Sequence, residues 1–421
     1  MKTILISIAA GSLLAALATA QSQPSYTITD LGTLGGTYSY GYGINAAGQV
    51  AGGAATMSQT GGVYQTAFLW YQGSMTNIGT LGGLNSAASG PNASGEAAIG
   101  SETSMTDPNG EDFCEYGTHL QCLGAIWKNG VWTPLPTLGT GLNTEPFDLN
   151  NRDEVVGFAE NGVHDATCLT GGTPFQVIRF EAVIWGPDRR IRELPPLTGD
   201  TVGFAIGTND IGQVVGSSGL CSTTSIPPAP SGQHAVLWEN DGTATDLGNL
   251  GGALNVAYAI NNRGDVVGAA LSPQDGTIHT FLWTQDTGMQ DLGAFPGAVM
   301  TVPSCCKTIN DAGQVIGWAM DAMGNFTALV WQNNKPVDLN TLIPPGSPWY
   351  LQNACSINDD GEIAGQGLIN GEVHAFLATP RHVNAQGDTL APLSQGASSP
   401  VALSEDARTL LRQRPLSGRP R

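Results

Sequence analysis

Short apolar runs separated by polar turns make up most of the chain, and no segment shows a convincing 3.6-residue apolar period. The segment Ala257–Gly293 is typical: the run "AYAI" is followed by the polar stretch "NNRG" and the run "DVVGAA". After a second polar stretch come the run "HTFLW", the polar turn "TQDTG" and the run "MQDLG". Runs of this length bounded by Gly, Asn and Asp predict four short strands joined by hairpins.

This pattern recurs along the chain, and its most constant phrase reads "INNRGDVVG" from Ile260. Alignment on the asparagine of the phrase gives seven repeats, spaced by 47 to 59 residues, which we call units one to seven. The aligned residues are Asn45, Asn92, Asn150, Asn209, Asn261, Asn310 and Asn358. Repeats of this length are typical of solenoids and propellers.

The phrase predicts a tight turn between two strands. Asn is favoured at the first position of a type I turn, and Gly follows where φ is positive. In unit three Asp153 replaces the glycine, and Asp also tolerates positive φ. The expected turn pairs include Asn45 with Gly48, Asn261 with Gly264, Asn310 with Gly313 and Asn358 with Gly361.

Four antiparallel strands per unit predict an all-β fold, a seven-bladed β-propeller with four-stranded antiparallel blades, over residues 21–380. A parallel β-helix is the less favoured alternative because it needs shorter coils and fewer hairpins. The last unit stops after its third strand, whereas Tyr26–Gly36, "YTITDLGTLGG", matches the fourth strand of a unit. The N-terminal strand is therefore expected to close the ring and remove an open sheet edge.

The tryptophans follow the same repeat. Six of them end the predicted third strand of units one to six, where we expect them to fill the space between blades. They are Trp70, Trp127, Trp185, Trp238, Trp283 and Trp331. Trp132, Trp318 and Trp349 fall outside this position, which makes them the candidates for exposed stacking surfaces. Of these, Trp318 and Trp349 are assigned to the predicted ligand-binding face.

The phrases "HAFLATP", "HAVLW" and "HTFLW", together with "DLGTLGG" and the Asn–Gly turn, resemble the bacterial extracellular HAF repeat family, named for His-Ala-Phe. The resemblance covers about Tyr26 to Pro380, and units two and three depart most, since "GAIW" and "AVIW" replace the tripeptide. It implies export and a repeat scaffold. It implies no established reaction and no catalytic residues.

The two ends of the chain differ from the repeats. Residues 1–20 carry a lysine, an apolar run and small residues in the order typical of a secretory signal peptide. The mature protein is thus expected to be secreted, either extracellular or periplasmic. Residues 381–421 hold six arginines among Pro, Ser and Gly, a composition that predicts a disordered tail.

Charge narrows the range of partners. Residues 21–380 contain nine Lys and Arg against thirty-two Asp and Glu. A surface this acidic argues against nucleic acid and anionic membranes as partners. No stretch after the signal peptide is apolar and long enough to span a membrane. We expect a monomer that binds an extracellular polysaccharide or protein.

Three connections between second and third strands are longer than the rest: Ser101–Leu123, Ala159–Phe180 and Ser217–Gln233. They belong to units two to four and lie on the same face of a propeller as the connections between blades. Because scaffolds carry function on loops, this rim is the predicted ligand-binding face. The alternative is that the three loops are surface insertions without a function.

The cysteines favour order in these loops. An exported chain favours disulfides, and the spacing shows no zinc site. We expect Cys114 to pair with Cys122, Cys168 with Cys221, and Cys355 with Cys306 or Cys305.

The first long loop is acidic and reads "DPNGEDFCE". Its candidate ligand-binding residues are Asp107, Asn109, Glu111, Asp112 and Glu115. Oxygen ligands at alternating positions beside a glycine suggest calcium at Asp107, Asn109 and Glu111, although the closing glutamate of the twelve-residue pattern is missing. A solvated acidic loop is the alternative, and no other cofactor is expected.

The sequence favours a secreted scaffold that binds a ligand through the loops of units two to four. No G-x-S-x-G motif is present, and no catalytic triad can be assembled from spacing. One alternative is an extracellular glycan-active enzyme, a hydrolase or lyase, with carboxylates in the central funnel. A second alternative is a structural matrix protein.

Overall fold

The computed structural model describes residues 26–57, 63–168, 176–221, 233–304 and 307–381. These residues form 28 β-strands and two 3-10 helices, Ala166–Cys168 and Leu339–Leu342. The predicted signal peptide, and the predicted tail beyond its first residue, lie outside them. No helix in this part of the chain is long and apolar enough to cross a membrane.

The strands pair in four-stranded antiparallel sheets, as predicted. Strand β1 spans Tyr26–Asp30 and belongs to the last sheet. Strands β2 to β5 are Ser39–Ile44, Val50–Met57, Val63–Tyr71 and Ser74–Gly79. Strands β6 to β9 are Gly82–Pro91, Ala97–Thr106, Leu120–Lys128 and Val131–Pro134. Strands β10 to β13 are Thr144–Leu149, Val155–His164, Ile178–Trp185 and Ile191–Leu194. Strands β14 to β17 are Val202–Thr208, Val214–Gly219, His234–Trp238 and Ala244–Asp246.

Units five and six share one eight-stranded sheet. Its first half, β18 to β21, comprises Asn255–Ile260, Val266–Leu271, Ile278–Thr284 and Gly288–Asp291. Its second half, β22 to β25, comprises Ala298–Val302, Ile316–Asp321, Phe326–Gln332 and Lys335–Asp338. The two halves are joined by a single parallel pairing, between Ile278 and Met300.

The last sheet contains both ends of the described chain. Strands β26 to β28 are Trp349–Ile357, Ile363–Ile369 and Glu372–Pro380. Strand β1 pairs antiparallel with β28, from Tyr26 opposite Pro380 to Asp30 opposite Phe376. The carboxylate of Asp30 also lies 2.9 Å from Nδ1 of His374. The predicted pairing of the N-terminal strand with the last unit is therefore observed.

The Asn–Gly turns form as predicted. In unit one the side-chain oxygen of Asn45 accepts hydrogen bonds from the N–H groups of Ala47 and Gln49, both at 3.0 Å. Gly48 has φ of 73°, and its N–H donates to the carbonyl of Asn45. Asp153, which replaces the turn glycine in unit three, also has positive φ, at 60°. The glycines of the other expected pairs have positive φ too: Gly264, Gly313 and Gly361.

The same asparagines link neighbouring units. Each donates a hydrogen bond from its side-chain nitrogen to the backbone carbonyl of the next aligned asparagine, over 2.9 to 3.4 Å. The last of them, Asn358, donates to the carbonyl of the first, Asn45, over 3.2 Å. All seven side chains are buried. We call this cycle of seven hydrogen bonds the asparagine ring.

The tryptophans that end the third strands pack between units. The indole N–H of Trp185 donates to the carbonyl of Pro136, and that of Trp238 donates to the carbonyl of Pro195. Both acceptors lie in the connection that follows the preceding sheet. These contacts confirm the predicted packing between units for Trp185 and Trp238. Four-stranded antiparallel sheets packed side by side around a common centre are the arrangement of a β-propeller.

Two faces follow from the antiparallel order of the strands. The turn face holds the Asn–Gly turns and the hairpins between third and fourth strands. The loop face holds the connections between second and third strands and between successive sheets. The three long loops therefore lie on the face opposite the asparagine ring.

Candidate functional site

The three long loops of units two to four are tied to one another. The predicted disulfides Cys114–Cys122 and Cys168–Cys221 are both present, and the second joins the loops of units three and four. Disulfides typically stabilise a fold by about 2–4 kcal/mol. Cys305 and Cys306 lie outside the described residues, so their pairing with Cys355 stays a prediction.

Buried carboxylates lie where the same loops leave the sheets, and they bind asparagines at or just before the neighbouring first strands. One oxygen of Glu102 accepts hydrogen bonds from the backbone and side-chain nitrogens of Asn85, both at 2.9 Å. Glu160 repeats the arrangement one unit later with Asn143, at 3.2 and 3.0 Å. Both glutamates are almost fully buried, so their oxygens must be satisfied inside the protein.

Glu111 connects the loop of unit two to that of unit three. One of its oxygens accepts the N–H groups of Val177 and Ile178, at 2.5 and 2.7 Å. Burial and the neighbouring carboxyl of Glu160 raise the pKa of Glu111 to about 8. At neutral pH Glu111 is therefore protonated, and its second carboxyl oxygen can donate a hydrogen bond to Glu160. This satisfies an oxygen that otherwise has no partner among the described residues.

We expect the stability of this region to fall as the pH rises from 5 to 8. Between the ordinary glutamate pKa and about 8, the folded state holds a proton on Glu111 that the unfolded chain has released. The free energy of unfolding then falls by up to about 1.4 kcal/mol per pH unit. Glu111→Gln, which keeps a donor toward Glu160, should flatten the fall of the melting temperature with pH.

The control for this experiment is Glu181, whose pKa is raised to about 7 by burial and by the charge of Glu193. The fall in stability that comes from the titration of Glu181 should persist in the Glu111→Gln variant. It should end about one pH unit lower than the fall that comes from Glu111. A variant whose melting temperature depends on pH as strongly as the native protein's would contradict the shared proton.

The predicted calcium residues are occupied by hydrogen bonds. The carboxylate of Asp107 accepts the N–H groups of Asn109 and Glu111 and the side-chain nitrogen of Asn143, over 2.8 to 3.2 Å. Asn109 is exposed. No group of three or more His, Cys, Asp or Glu side chains is placed to hold a metal in the described residues. Hydrogen bonds account for Asp107 and Glu111 without an ion. Calcium binding at these residues stays a prediction.

The other two predicted residues of the first loop, Asp112 and Glu115, are half-buried. A carboxylate oxygen of Asp112 accepts the N–H of Gly117 over 2.8 Å, so this residue closes the loop on itself.

Trp318 and Trp349 are not exposed stacking surfaces, and that expectation is wrong. Trp318 is 2% exposed and packs against Phe326, with ring centroids 5.1 Å apart. Trp349 is 9% exposed and meets Phe376 edge to face, with centroids 6.1 Å apart. Both side chains belong to the core because neighbouring strands cover them.

The loop face carries most of the exposed large apolar side chains. Nine of the twelve in the described residues lie there: Met57, Val63, Leu84, Met105, Leu142, Val163, Leu220, Val299 and Met323. The other three, Tyr71, Val131 and Ile211, lie on the turn face. An excess of exposed large apolar side chains on one face favours an interaction surface there. The exposure of these side chains could not be predicted from sequence because it depends on where each strand ends.

The loop face is also poor in basic residues. Of the described lysines and arginines only Arg179 lies on it, and its guanidinium donates to Asp165 over 3.0 Å. Acidic residues there include Asp30 and Asp291, at the ends of fourth strands, which contact His374 and His279 at 2.9 Å. Each of these histidines links a third strand to a fourth.

The sequence did not reveal a cavity at the centre of the turn face. It has a volume of about 120 Å³ and lies within the asparagine ring. Residues that directly follow the ring asparagines line it, among them Asp210, Asp311 and Asp359, together with Lys307. The repeated position after each asparagine is the signal that could have located it.

Lys307 lies between units that are far apart in sequence. Its ammonium donates to the carbonyl of Leu149 over 3.1 Å. Burial raises the pKa of Asp148, an effect that the charge of Lys307 partly offsets. Burial would also raise the pKa of Asp210, but hydrogen bonds from Asn151 and the charge of Lys307 lower it overall.

No family model matches the chain, and no curated protein matches its sequence. Among solved structures, the β-propeller domain of the Trilobed protease from Pyrococcus furiosus is similar, with a TM-score of 0.48 and 12% identity. The match covers 81% of this chain and 93% of that one. The uncomplexed acylaminoacyl peptidase of Pyrococcus horikoshii has a TM-score of 0.48 and 11% identity, over 82% of this chain and 52% of that one. Streptogramin B lyase has a TM-score of 0.45 and 11% identity, over 85% and 98%. Similarities this distant carry no argument about function.

Proposed function

We propose that the chain forms a closed, seven-bladed propeller of the HAF repeat type. Five four-stranded sheets and the two halves of the eight-stranded sheet, which share one pairing, make seven blades. Two features support closure: the pairing of β1 with β28, and the bond from Asn358 back to Asn45. The motifs that resemble the HAF family, "HAF" and "DLG", meet in the contact of His374 with Asp30.

The function we propose is that of a secreted scaffold that binds an extracellular protein through its loop face. The observation that carries this is the concentration of exposed large apolar side chains on that face. Apolar side chains favour a protein partner over a polysaccharide because a polysaccharide offers mainly hydroxyl groups. The two disulfides support export, since such bonds persist in oxidising compartments.

The charge of the face narrows the partner further. With Arg179 as its one described lysine or arginine, and that residue paired with Asp165, the loop face complements a segment that is both apolar and cationic. Complementary charge increases the rate of association and excludes acidic competitors. A basic amphipathic segment of a second protein therefore fits the surface.

The test uses two synthetic peptides, one alternating Leu and Lys and one alternating Leu and Glu. The mature protein should bind the Leu–Lys peptide at least tenfold more tightly, measured by fluorescence anisotropy at physiological salt. A loop-face variant with Met57→Thr, Met105→Thr and Leu220→Thr should lose this binding by about tenfold. These three side chains are 61%, 61% and 42% exposed, so their replacement leaves the core intact.

The matched control carries the same chemical change on the opposite face: Tyr71→Thr, Val131→Thr and Ile211→Thr. It should bind the Leu–Lys peptide as the native protein does. Equal losses in both variants, or equal affinity for both peptides, would refute the loop face as the binding surface.

A further inference from the structure

A second layer of hydrogen bonds lies beside the asparagine ring, and it is incomplete. In five units the N–H of the residue after the ring asparagine donates to the side chain of the equivalent residue in the next unit, over 2.7 to 2.9 Å. The donors are Ala93, Asn151, Asp210, Asn262 and Asp311. Each acceptor is an Asn or Asp oxygen.

The layer is interrupted where the equivalent residues are Ala46 and Ala93. An alanine has no acceptor oxygen, so the N–H groups of Asp359 and Ala46 have no partner among the described residues. These two donors are adjacent in the layer, because Asn358 bonds to Asn45 and Asn45 bonds to Asn92. Two missing side chains thus leave a gap with two neighbouring donors.

The gap opens into the central cavity. Ala46, Ala93 and Asp359 all line it, and its volume of about 120 Å³ is enough for a small molecule. One oxygen of Asp359 accepts the N–H of Asp311, whereas its second oxygen has no partner among the described residues. The ligand position is therefore bordered by two N–H donors and one carboxylate acceptor.

This mixture of donors and acceptors selects the chemistry of the ligand. An anion would meet Asp210, Asp311 and Asp359 against the single charge of Lys307. A cation would face two N–H groups, which offer it no acceptor oxygen. A hydroxyl group satisfies both requirements, because it accepts from an N–H and donates to a carboxylate.

We propose that the central cavity on the turn face binds a pyranose unit of an extracellular polysaccharide. Adjacent ring hydroxyls accept from the N–H groups of Ala46 and Asp359 and donate to the free oxygen of Asp359. The sugar takes the place of the side chains that Ala46 and Ala93 lack. This site is on the face opposite the proposed protein surface and does not depend on it.

The test completes the second layer by substitution. The variant Ala46→Asn with Ala93→Asn introduces the residue that units three and five carry at this position, without a change in charge. The probes are D-glucose, D-galactose, D-mannose and N-acetyl-D-glucosamine. Their binding is measured by saturation-transfer NMR and by the change in melting temperature. We expect at least one sugar to bind the native protein and at least tenfold weaker binding to the variant.

The matched control is Ala47→Asn, which adds the same side chain at a residue that does not line the cavity. It should bind the sugar as the native protein does. The double variant should melt at the native temperature or higher, because it gains two hydrogen bonds, which separates lost binding from lost folding. Binding of none of the four sugars, or sugar binding that survives the double substitution, overturns the proposal. A response to acetate or calcium without one to sugar also overturns it.

Discussion

Removal of Tyr26–Asp30 is expected to lower the free energy of unfolding by about 4–6 kcal/mol, judged from the burial of large side chains. Tyr26 is 2% exposed and belongs to the core beside Trp349 and Phe376. The deletion also removes the five register pairs with β28 and the contact of Asp30 with His374. The shortened protein should melt earlier, and it should aggregate because β28 becomes an exposed edge strand.

A peptide added in trans provides the control for this deletion. A synthetic peptide of residues 24–36 can pair with the edge of β28 by strand addition. It should restore part of the lost melting temperature, whereas a scrambled peptide of the same composition should not. If the shortened protein melts at the native temperature, β1 does not stabilise the last blade and the closure proposal fails.

Asn261→Ala is expected to cost about 2–4 kcal/mol, from the loss of four hydrogen bonds at a buried site. The oxygen of Asn261 accepts the N–H groups of Arg263 and Asp265, at 3.0 and 2.9 Å. Its nitrogen donates to Asp265 and to the carbonyl of Asn310, both at 3.1 Å. The substitution thus weakens one turn and one contact between units together. Thermal and denaturant unfolding measure the loss.

Two further variants show how much of the stability lost in Asn261→Ala comes from its buried hydrogen bonds. Asn249→Ala removes a single hydrogen bond, which the N–H of Gly251 donates to an exposed asparagine side chain, and should change stability by less than about 0.5 kcal/mol. Asn261→Asp keeps the two accepted bonds but loses both donated ones and places a second carboxylate beside Asp265, so its cost is an upper limit for the contact with the next unit. An Asn261→Ala protein as stable as Asn249→Ala would show that the ring does not hold neighbouring units together.

The strands and turns could be predicted because their causes are local. Asn45 and Gly48 specify a turn by their own backbone preferences, and alternating apolar runs specify the strands on either side. The bond from Asn45 to the carbonyl of Asn92 has no local cause, since the two residues are 47 positions apart. It became visible only when neighbouring units were placed side by side.

The tryptophans show where repeat analysis fails. Trp185 and Trp238 hold the repeated position, and their burial could be predicted from it. Trp318 and Trp349 do not, and their departure from the repeat suggested exposure. Their burial comes from partners in neighbouring strands, Phe326 and Phe376, that no regular spacing indicates.

The acidic loop was found from sequence, but the role of its residues was not. The spacing of Asp107, Asn109 and Glu111 suggested ligands for an ion. In the fold Glu111 instead meets Glu160 and the backbone of Val177, which lies 66 positions further along the chain. Which oxygen a carboxylate faces depends on how the loops of two units pack, and the local sequence does not carry that information.

The pairing of Tyr26 with Pro380 brings both ends of the described chain to one point, on the turn face. Thr379, beside that point, lies 3.4 Å from Glu362 of the last Asn–Gly turn. The residues that precede Tyr26 and those that follow Arg381 therefore leave the described fold at one place, on the turn face. The loop face is thus the side away from both points of departure.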